Sequence, residues 1–272
     1  MLKKRIIFSL LYKDGKFCLS RNFRLQEIGD INWLLKSYNF EEIAESIDEL
    51  VILNLSSSNT YNNSFLTDIA NLTKNFFVPI TIGGKIRNLS DANQYFSSGA
   101  DKISLNTIYS ENHVVASEIA EKYGSQAVVA SIDYKTFFEG KILKYKIYNK
   151  GSNVNGRELF DQISMVQNLG CGEILIQSVD NDGTGNGLDL KLLEFIPDGL
   201  LTVPLIFAGG IGKSEHMHAG LSHPRIDAVC TANLLNFINH GLVNARKRLE
   251  LSNLPISKIS QQKTQKNLRS QM

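Results

Sequence analysis

The chain carries a long internal repeat, and a repeat on this scale constrains the fold before any local propensity does. Residues 5–16, RIIFSLLYKDGK, return in altered form as AVVASIDYKTFFEGK at 127–141. Glu49-Leu-Val-Ile recurs as Glu173-Ile-Leu-Ile, and Val78-Pro-Ile-Thr-Ile-Gly-Gly as Val203-Pro-Leu-Ile-Phe-Ala-Gly. Gly-Ala-Asp at 99–101 recurs as Arg-Ile-Asp at 225–227. The four blocks keep their order at offsets of 122–126 residues. Aligning LYK of the first block with DYK of the second sets Leu11 opposite Asp133. One half has a leucine where its twin has a carboxylate.

A chain of 272 residues and 30.4 kDa has room for two ordinary domains or one large α/β barrel. Its 43% hydrophobic and 21% charged residues are those of an ordinary globular protein. A net charge of +2 gives no grounds for a nucleic-acid partner or an anionic membrane surface. The opening MLKKRIIFSLLYKDGK places basic residues before an apolar run, but Lys13 and Asp14 end that run too early for a signal peptide. No stretch approaches the roughly 18 apolar residues of a membrane span. Cys18, Cys171 and Cys230 are odd in number and far apart, which reads as reduced thiols in a cytoplasmic protein.

Short aliphatic runs alternate with amphipathic stretches along the whole chain. Strands are expected at 5–11, 49–55, 78–82, 101–105, 126–132, 173–178, 204–208 and 226–231. Helices are expected between them, at 31–46, 64–76, 89–98, 111–123, 156–169, 188–195, 213–220 and 233–249. This alternation implies right-handed βαβ units and a parallel sheet. Eight units from a doubled four-unit half point to an α/β protein, a closed (β/α)8 TIM barrel over residues 1–250, with half-barrels at about 1–123 and 124–250. An open doubly wound sheet is the rival. Residues 12–30 read as a long first βα loop, and 133–152 as a β-hairpin inserted after the fifth strand. Both fall at the C-terminal face, where substrate loops belong. The polar tail, 251–272, reads as disordered.

Gly83-Gly84 follow the third expected strand, and Ala208-Gly209-Gly210-Ile211-Gly212 the seventh. Glycines let backbone N–H groups approach an anion closely. Asn106-Thr107 and Thr231-Ala232-Asn233 close the same two sites. A barrel with phosphate loops at opposite ends of its mouth fits a substrate with a phosphate at each end; the plainer reading is a pair of tight turns. Asp180-Asn-Asp182-Gly183-Thr184 follows the sixth strand and lacks the twelfth-position glutamate of a calcium loop. Asp182 is therefore expected to contact substrate hydroxyls or to serve as a second carboxylate. Asp133, at the end of the fifth strand, is the candidate general acid or base, with a structural acceptor as its alternative.

Arg5, Glu49, Lys102 and Glu173 stand at strand starts, at the bottom of the barrel. They form either a solvated rim or, if all point inward, a neutral plug. His216, His218, His223 and His240 show no metal-ligand spacing and read as surface residues. No metal and no cofactor is expected.

KRIIFSLLYKDGK, DELVILNL, VPITIGGKI, GADKISLNT, GSQAVVASIDYK, GCGEILIQSVDNDGT and VPLIFAGGIGK together resemble the cyclase subunit of imidazole glycerol phosphate synthase, the HisF family, over about residues 1–250. The sister isomerase of histidine synthesis shares the duplication but lacks the charged ring. The resemblance implies a heterodimer with a glutaminase at the bottom of the barrel, and ammonia passing through the core to a phosphorylated substrate at the top. It implies that Arg5, Glu49, Lys102 and Glu173 gate that passage and that Asp101 touches the glutaminase. At the top the likeness is poorer. The family's two catalytic aspartates correspond to Leu11 and Asp133, its phosphate-clamping lysine to Leu19, a threonine to Gln177 and a third glycine to Lys85. Leucine exchanges no proton, and losing an acid–base catalyst costs about 10²–10⁴-fold.

Three functions follow as expectations. The first is an ammonia-handling barrel of an amidotransferase complex with altered chemistry, of the kind that amidates surface-glycan sugars. The second is a working histidine-pathway cyclase, turning ammonia and PRFAR into IGP and AICAR, with its acid–base partner moved to Asp14 or Asp182. The third is a phosphosugar-binding activator of the glutaminase without turnover.

Overall fold

Eight parallel strands close into a barrel in the computed structural model, which describes residues 3–37, 43–57, 62–73, 77–149, 158–232, 241–252 and 254–257. The barrel strands are β1 (Arg5–Lys13), β4 (Glu49–Asn54), β5 (Ile80–Gly83), β6 (Lys102–Leu105), β7 (Val128–Glu139), β9 (Glu173–Ser178), β10 (Leu205–Ala208) and β11 (Ala228–Thr231). Each pairs in parallel with the next, and β11 returns to β1 through Arg5↔Ala228 to Phe8↔Thr231. The open sheet is thereby excluded.

The repeat is visible in the register. In β1 and β4, Ile7 stands beside Glu49 and Leu11 beside Leu53. In β7 and β9, Val129 stands beside Glu173 and Asp133 beside Gln177. Leu11 and Asp133 therefore occupy equivalent places. Both halves also begin with a strand that overruns the barrel and folds back. β7 returns as β8 (Ile142–Ile147), within the hairpin expected at 133–152, of which 150–152 lie outside the described residues. β1 returns as β2 (Lys16–Arg21), followed by β3 (Arg24–Gly29). The stretch 12–30 is thus a three-stranded meander and not a loop. Asp14 and Gly15, at φ 48° and 85°, supply the tight turn that makes it so.

Helices cover the outside: α1 (Ile31–Ser37), α2 (Asn62–Thr73), α3 (Leu89–Ser97), α4 (Ile108–Glu111), α5 (His113–Tyr123), α6 (Leu159–Asn168), α7 (Leu192–Phe195), α8 (Ser214–Ser222) and α9 (Gly241–Leu251). Most match expectation, and two depart from it. The stretch expected as one helix from 111 begins at Ile108 and breaks at Asn112, whose φ of −154° is not helical. The helix expected over 188–195 is a single turn, α7, because Asp189 is drawn aside to accept the Tyr134 hydroxyl at 3.0 Å. Of the helix expected over 31–46, residues 38–42 lie outside the described residues, as do 74–76 of 64–76, 156–157 of 156–169 and 233–240 of 233–249.

The expected tail is partly ordered. Ile256 is buried and bridges Lys4 in parallel, with Lys4 N–H donating to Pro255 O at 2.9 Å and Ser257 N–H to Lys4 O at 3.1 Å. Residues 258–272 lie outside the described residues.

Strand alternation divides the apolar residues into two layers. Even-numbered residues of β1, including Ile6, Phe8 and Leu10, pack outward beneath the helices. Ile7, Val51, Val129, Leu175, Ile206, Ala228 and Cys230 fill the barrel. At the strand starts one device recurs: Asp48, Asp101 and Asp227 accept the first free N–H of a neighbouring strand, from Ile6, Ile80 and Leu205, at 2.8–2.9 Å.

Candidate functional site

The floor of the barrel is a closed cycle of ion pairs. The Arg5 guanidinium lies 3.1 Å from Glu49 and 2.9 Å from Glu173, and the Lys102 ammonium 2.9 Å and 3.1 Å from the same two carboxylates. All four side chains therefore turn inward. Glu49 is the deepest of them, and it also accepts the Thr81 hydroxyl at 2.5 Å. Two cations and two anions cancel, so each carboxylate is held by both cations and none is buried unpaired. Removing one member of such a cycle strands another, at a cost of about 3–5 kcal/mol. Asp101, expected at a partner interface, is exposed on the same rim while its carboxylate holds the start of β5.

Above the floor lies the inner apolar layer, interrupted by the buried hydroxyls of Ser9, Thr81, Ser104 and Ser131. Leu11 and Asp133 follow at the top. Asp133 is half-buried and accepts the Asn106 side-chain amide at 2.8 Å. Burial pushes its carboxyl up to about 7, against the pull of the Asn106 hydrogen bond; the nearby Asp182 charge adds to the rise. A carboxyl at that value both gives and takes protons near neutral pH. Leu11, nearly fully buried, presents only hydrocarbon at the equivalent place. Asn106, expected beside a phosphate, thus has its amide engaged with Asp133, and Thr107 opens the short α4.

Asp182 is placed where sequence reasoning did not foresee. It is buried, and its carboxylate accepts the Ser20 hydroxyl at 2.5 Å, the Phe23 N–H at 3.0 Å and the Gln177 amide at 3.2 Å. Both oxygens are engaged in fastening the β2–β3 hairpin over the sixth barrel strand. Gly183 belongs to the same fastening: a Cβ there would sit 2.1 Å from Ser20 O. Asp14, at the β1–β2 turn, accepts the Ser57 N–H at 3.1 Å. Leu19 packs against the outer core.

The glycine loops are tight for internal reasons. A Cβ on Gly84 would meet Asn54 O at 2.1 Å and one on Gly209 would meet Ser178 O at 2.7 Å. Gly83 packs on Leu53 and Ser104. Asn233 lies outside the described residues. Among the described residues no group of three His, Cys, Asp or Glu is placed to hold a metal ion. His216 and His223 are half-buried rather than at the surface, each accepting a backbone N–H, from Gly212 and Arg225, at 3.2 Å; burial lowers both. His218 is exposed, and His240 lies outside the described residues. The three cysteines are buried and unpaired, and no described helix is long and apolar enough to cross a membrane.

Two half-barrels closed around an ion-paired floor, with a near-neutral carboxyl at the mouth, define a (β/α)8 barrel of the duplicated kind. The chain belongs to the histidine biosynthesis protein family, whose pattern matches residues 5–239, and within it to the HisF type of subunit. It is 48% identical over 252 residues to the "Putative imidazole glycerol phosphate synthase subunit hisF2" of Parasynechococcus marenigrum, covering 92% of this chain and 91% of that one. It is 37% identical over 250 residues to the imidazole glycerol phosphate synthase subunit HisF of Chlorobium phaeovibrioides, covering 92% and 96%. The same subunit of Chlorobium luteolum is 36% identical over the same span. The chain is a divergent member of its family.

Proposed function

We propose that this barrel is the ammonia-accepting subunit of a glutamine amidotransferase complex whose mouth no longer performs the histidine-pathway reaction. The observation that carries the reading is a contrast within one barrel. The floor keeps its four-membered ionic cycle, while the mouth has one carboxyl where its own repeat calls for two.

In this reading a glutaminase docks on the bottom face, around the rim that bears Asp101. Ammonia enters when one ion pair of the cycle opens; because the remaining pairs hold their partners, the opening is local. The apolar interior then favours neutral ammonia over ammonium, which would lose its hydration there. The hydroxyls of Ser9, Ser104 and Ser131 offer it hydrogen bonds on the way. At the mouth Asp133 exchanges the proton, and the wall formed by Leu11 gives no second acid. The acceptor is a phosphorylated small molecule, and amidation of a surface-glycan sugar is the pathway that suits a conduit without its histidine chemistry.

The relatives' names favour a second reading, a working cyclase with a single acid–base residue. The two part in a histidine auxotroph that lacks its own HisF subunit and keeps its glutaminase. On the proposed reading the wild-type chain leaves the strain dependent on added histidine. Growth restored by the wild type and lost with Asp133→Asn would establish the cyclase instead.

A further inference from the structure

Arg5 is the most exposed of the four floor residues, and it opens β1. Strand ends open more readily than strand centres. Even so, its guanidinium keeps within 3.1 Å of Glu49 and 2.9 Å of Glu173, carboxylates carried by two different strands.

Both chain neighbours of Arg5 are held by segments that lie outside β1. On one side, Lys4 donates its N–H to Pro255 O at 2.9 Å and accepts the Ser257 N–H at 3.1 Å. Its buried ammonium donates to the carbonyls of Ile226 and of His223, the latter at 3.1 Å. On the other side, Ile6 donates its N–H to the Asp48 carboxylate and accepts the Asp48 N–H, both at 2.8 Å. The two holds are tied together. The Ser257 hydroxyl donates to the Asp48 carboxylate, while Arg246 of α9 binds that carboxylate at 3.2 Å and also donates to the Ser257 carbonyl. Arg246 and Asp48 are both buried, and a buried ion pair is costly unless its remaining hydrogen bonds are supplied. Ser257 supplies one to each. Asp48 also precedes Glu49, the deepest partner of Arg5.

The repeat provides an internal control. Arg5 has Ala127 as its counterpart in the second half, and Asp48 has Gly172. A Cβ on Gly172 would stand 2.4 Å from Ser125 O, so the turn at Ser125–Ala127 leaves no room there for a carboxylate. The half without the arginine is also without the hold.

We propose that Ser257, Arg246 and Asp48 are positioning residues for Arg5: the C-terminal segment fixes the backbone on both sides of the arginine so that its guanidinium spans Glu49 and Glu173. The inference rests on the reading of the floor as the face that serves a glutaminase, and it makes the C-terminal segment a determinant of the turnover that the barrel supports.

A double-mutant cycle on the full chain, read by denaturant unfolding, tests the positioning without any partner. Ser257→Pro removes the hydroxyl and the N–H together, and is expected to shift the unfolding equilibrium toward the unfolded chain by about tenfold or more. Combined with Arg5→Gln, or with Arg5→Lys if the neutral variant does not fold, the loss is expected to fall short of the product of the separate losses by about fivefold. Losses that simply multiply overturn the proposal and leave the glutaminase reading untouched. The second readout is glutamine turnover by the glutaminase of the same organism, saturated with barrel. Ser257→Pro is expected to lower the maximal turnover about threefold or more at an affinity changed less than about twofold, Ser257→Thr to retain it, and Ser257→Pro to add nothing once Arg5 is replaced. An equal drop with and without Arg5, or no drop at all, overturns the link to turnover. A wild-type chain that leaves the glutaminase unstimulated while the unfolding cycle shows coupling removes the glutaminase reading and keeps the positioning of Arg5.

Discussion

Burial that brings the Asp133 carboxyl to about 7 also ties the stability of the barrel to pH. In the unfolded chain the same group titrates near 3.9. Between about pH 4 and 7 the folded chain holds a proton that the unfolded chain has released, so stability falls as pH rises across that window and stays low above it. Asp133→Asn removes the penalty. It is expected to raise stability above pH 7 by up to about 4 kcal/mol, with no gain below pH about 4, and to abolish any proton transfer at the mouth. Denaturant melts of wild type and variant across pH 3–9 check this, and a gain that is constant with pH would contradict the assignment. Leu11 and Asp133 were legible in sequence because the repeat aligned them. The work of Asp182 was not legible. Its donors, Ser20 and Phe23, come from a distant hairpin, and no local spacing marks a carboxylate that will be covered by another segment.

Among elements, the eight barrel strands could be read because each buries both faces and so appears as a short aliphatic run between turn residues. The β2–β3 meander was missed for the opposite reason. Its residues are mixed in polarity and lie over the mouth, although Asp14-Gly15 was a hairpin signal in plain view. What holds the meander down is chiefly Asp182 together with Asn22, whose side-chain amide donates to Val179 O and Asp180 O at 3.1 and 2.8 Å. Asp182→Ala is expected to leave the barrel folded while loosening residues 16–29, because it strands Ser20 and the Phe23 N–H. Hydrogen exchange should then speed up by about tenfold or more in that segment alone. Equal protection in wild type and variant would show that the hairpin is held by packing instead.

At the scale of the whole molecule, duplication gave the two halves the same strands, the same overrunning first strand and one matching strand-start aspartate each, Asp101 and Asp227, and then let them diverge at the ends. The floor took Arg5, Glu49 and Lys102 from the first half and only Glu173 from the second. The mouth took its carboxyl from the second half. The fold could be read from the repeat alone, whereas the cycle of ion pairs needed the closure of β11 on β1 to bring four distant strand starts together. The central claim is that this floor still serves a glutaminase. The direct measurement is glutamine turnover by a purified glutaminase subunit from the same organism as the full barrel chain is titrated in. Saturable stimulation of at least about fivefold, complete at equimolar barrel, is the predicted result. A turnover that stays flat through a large excess of barrel would contradict it.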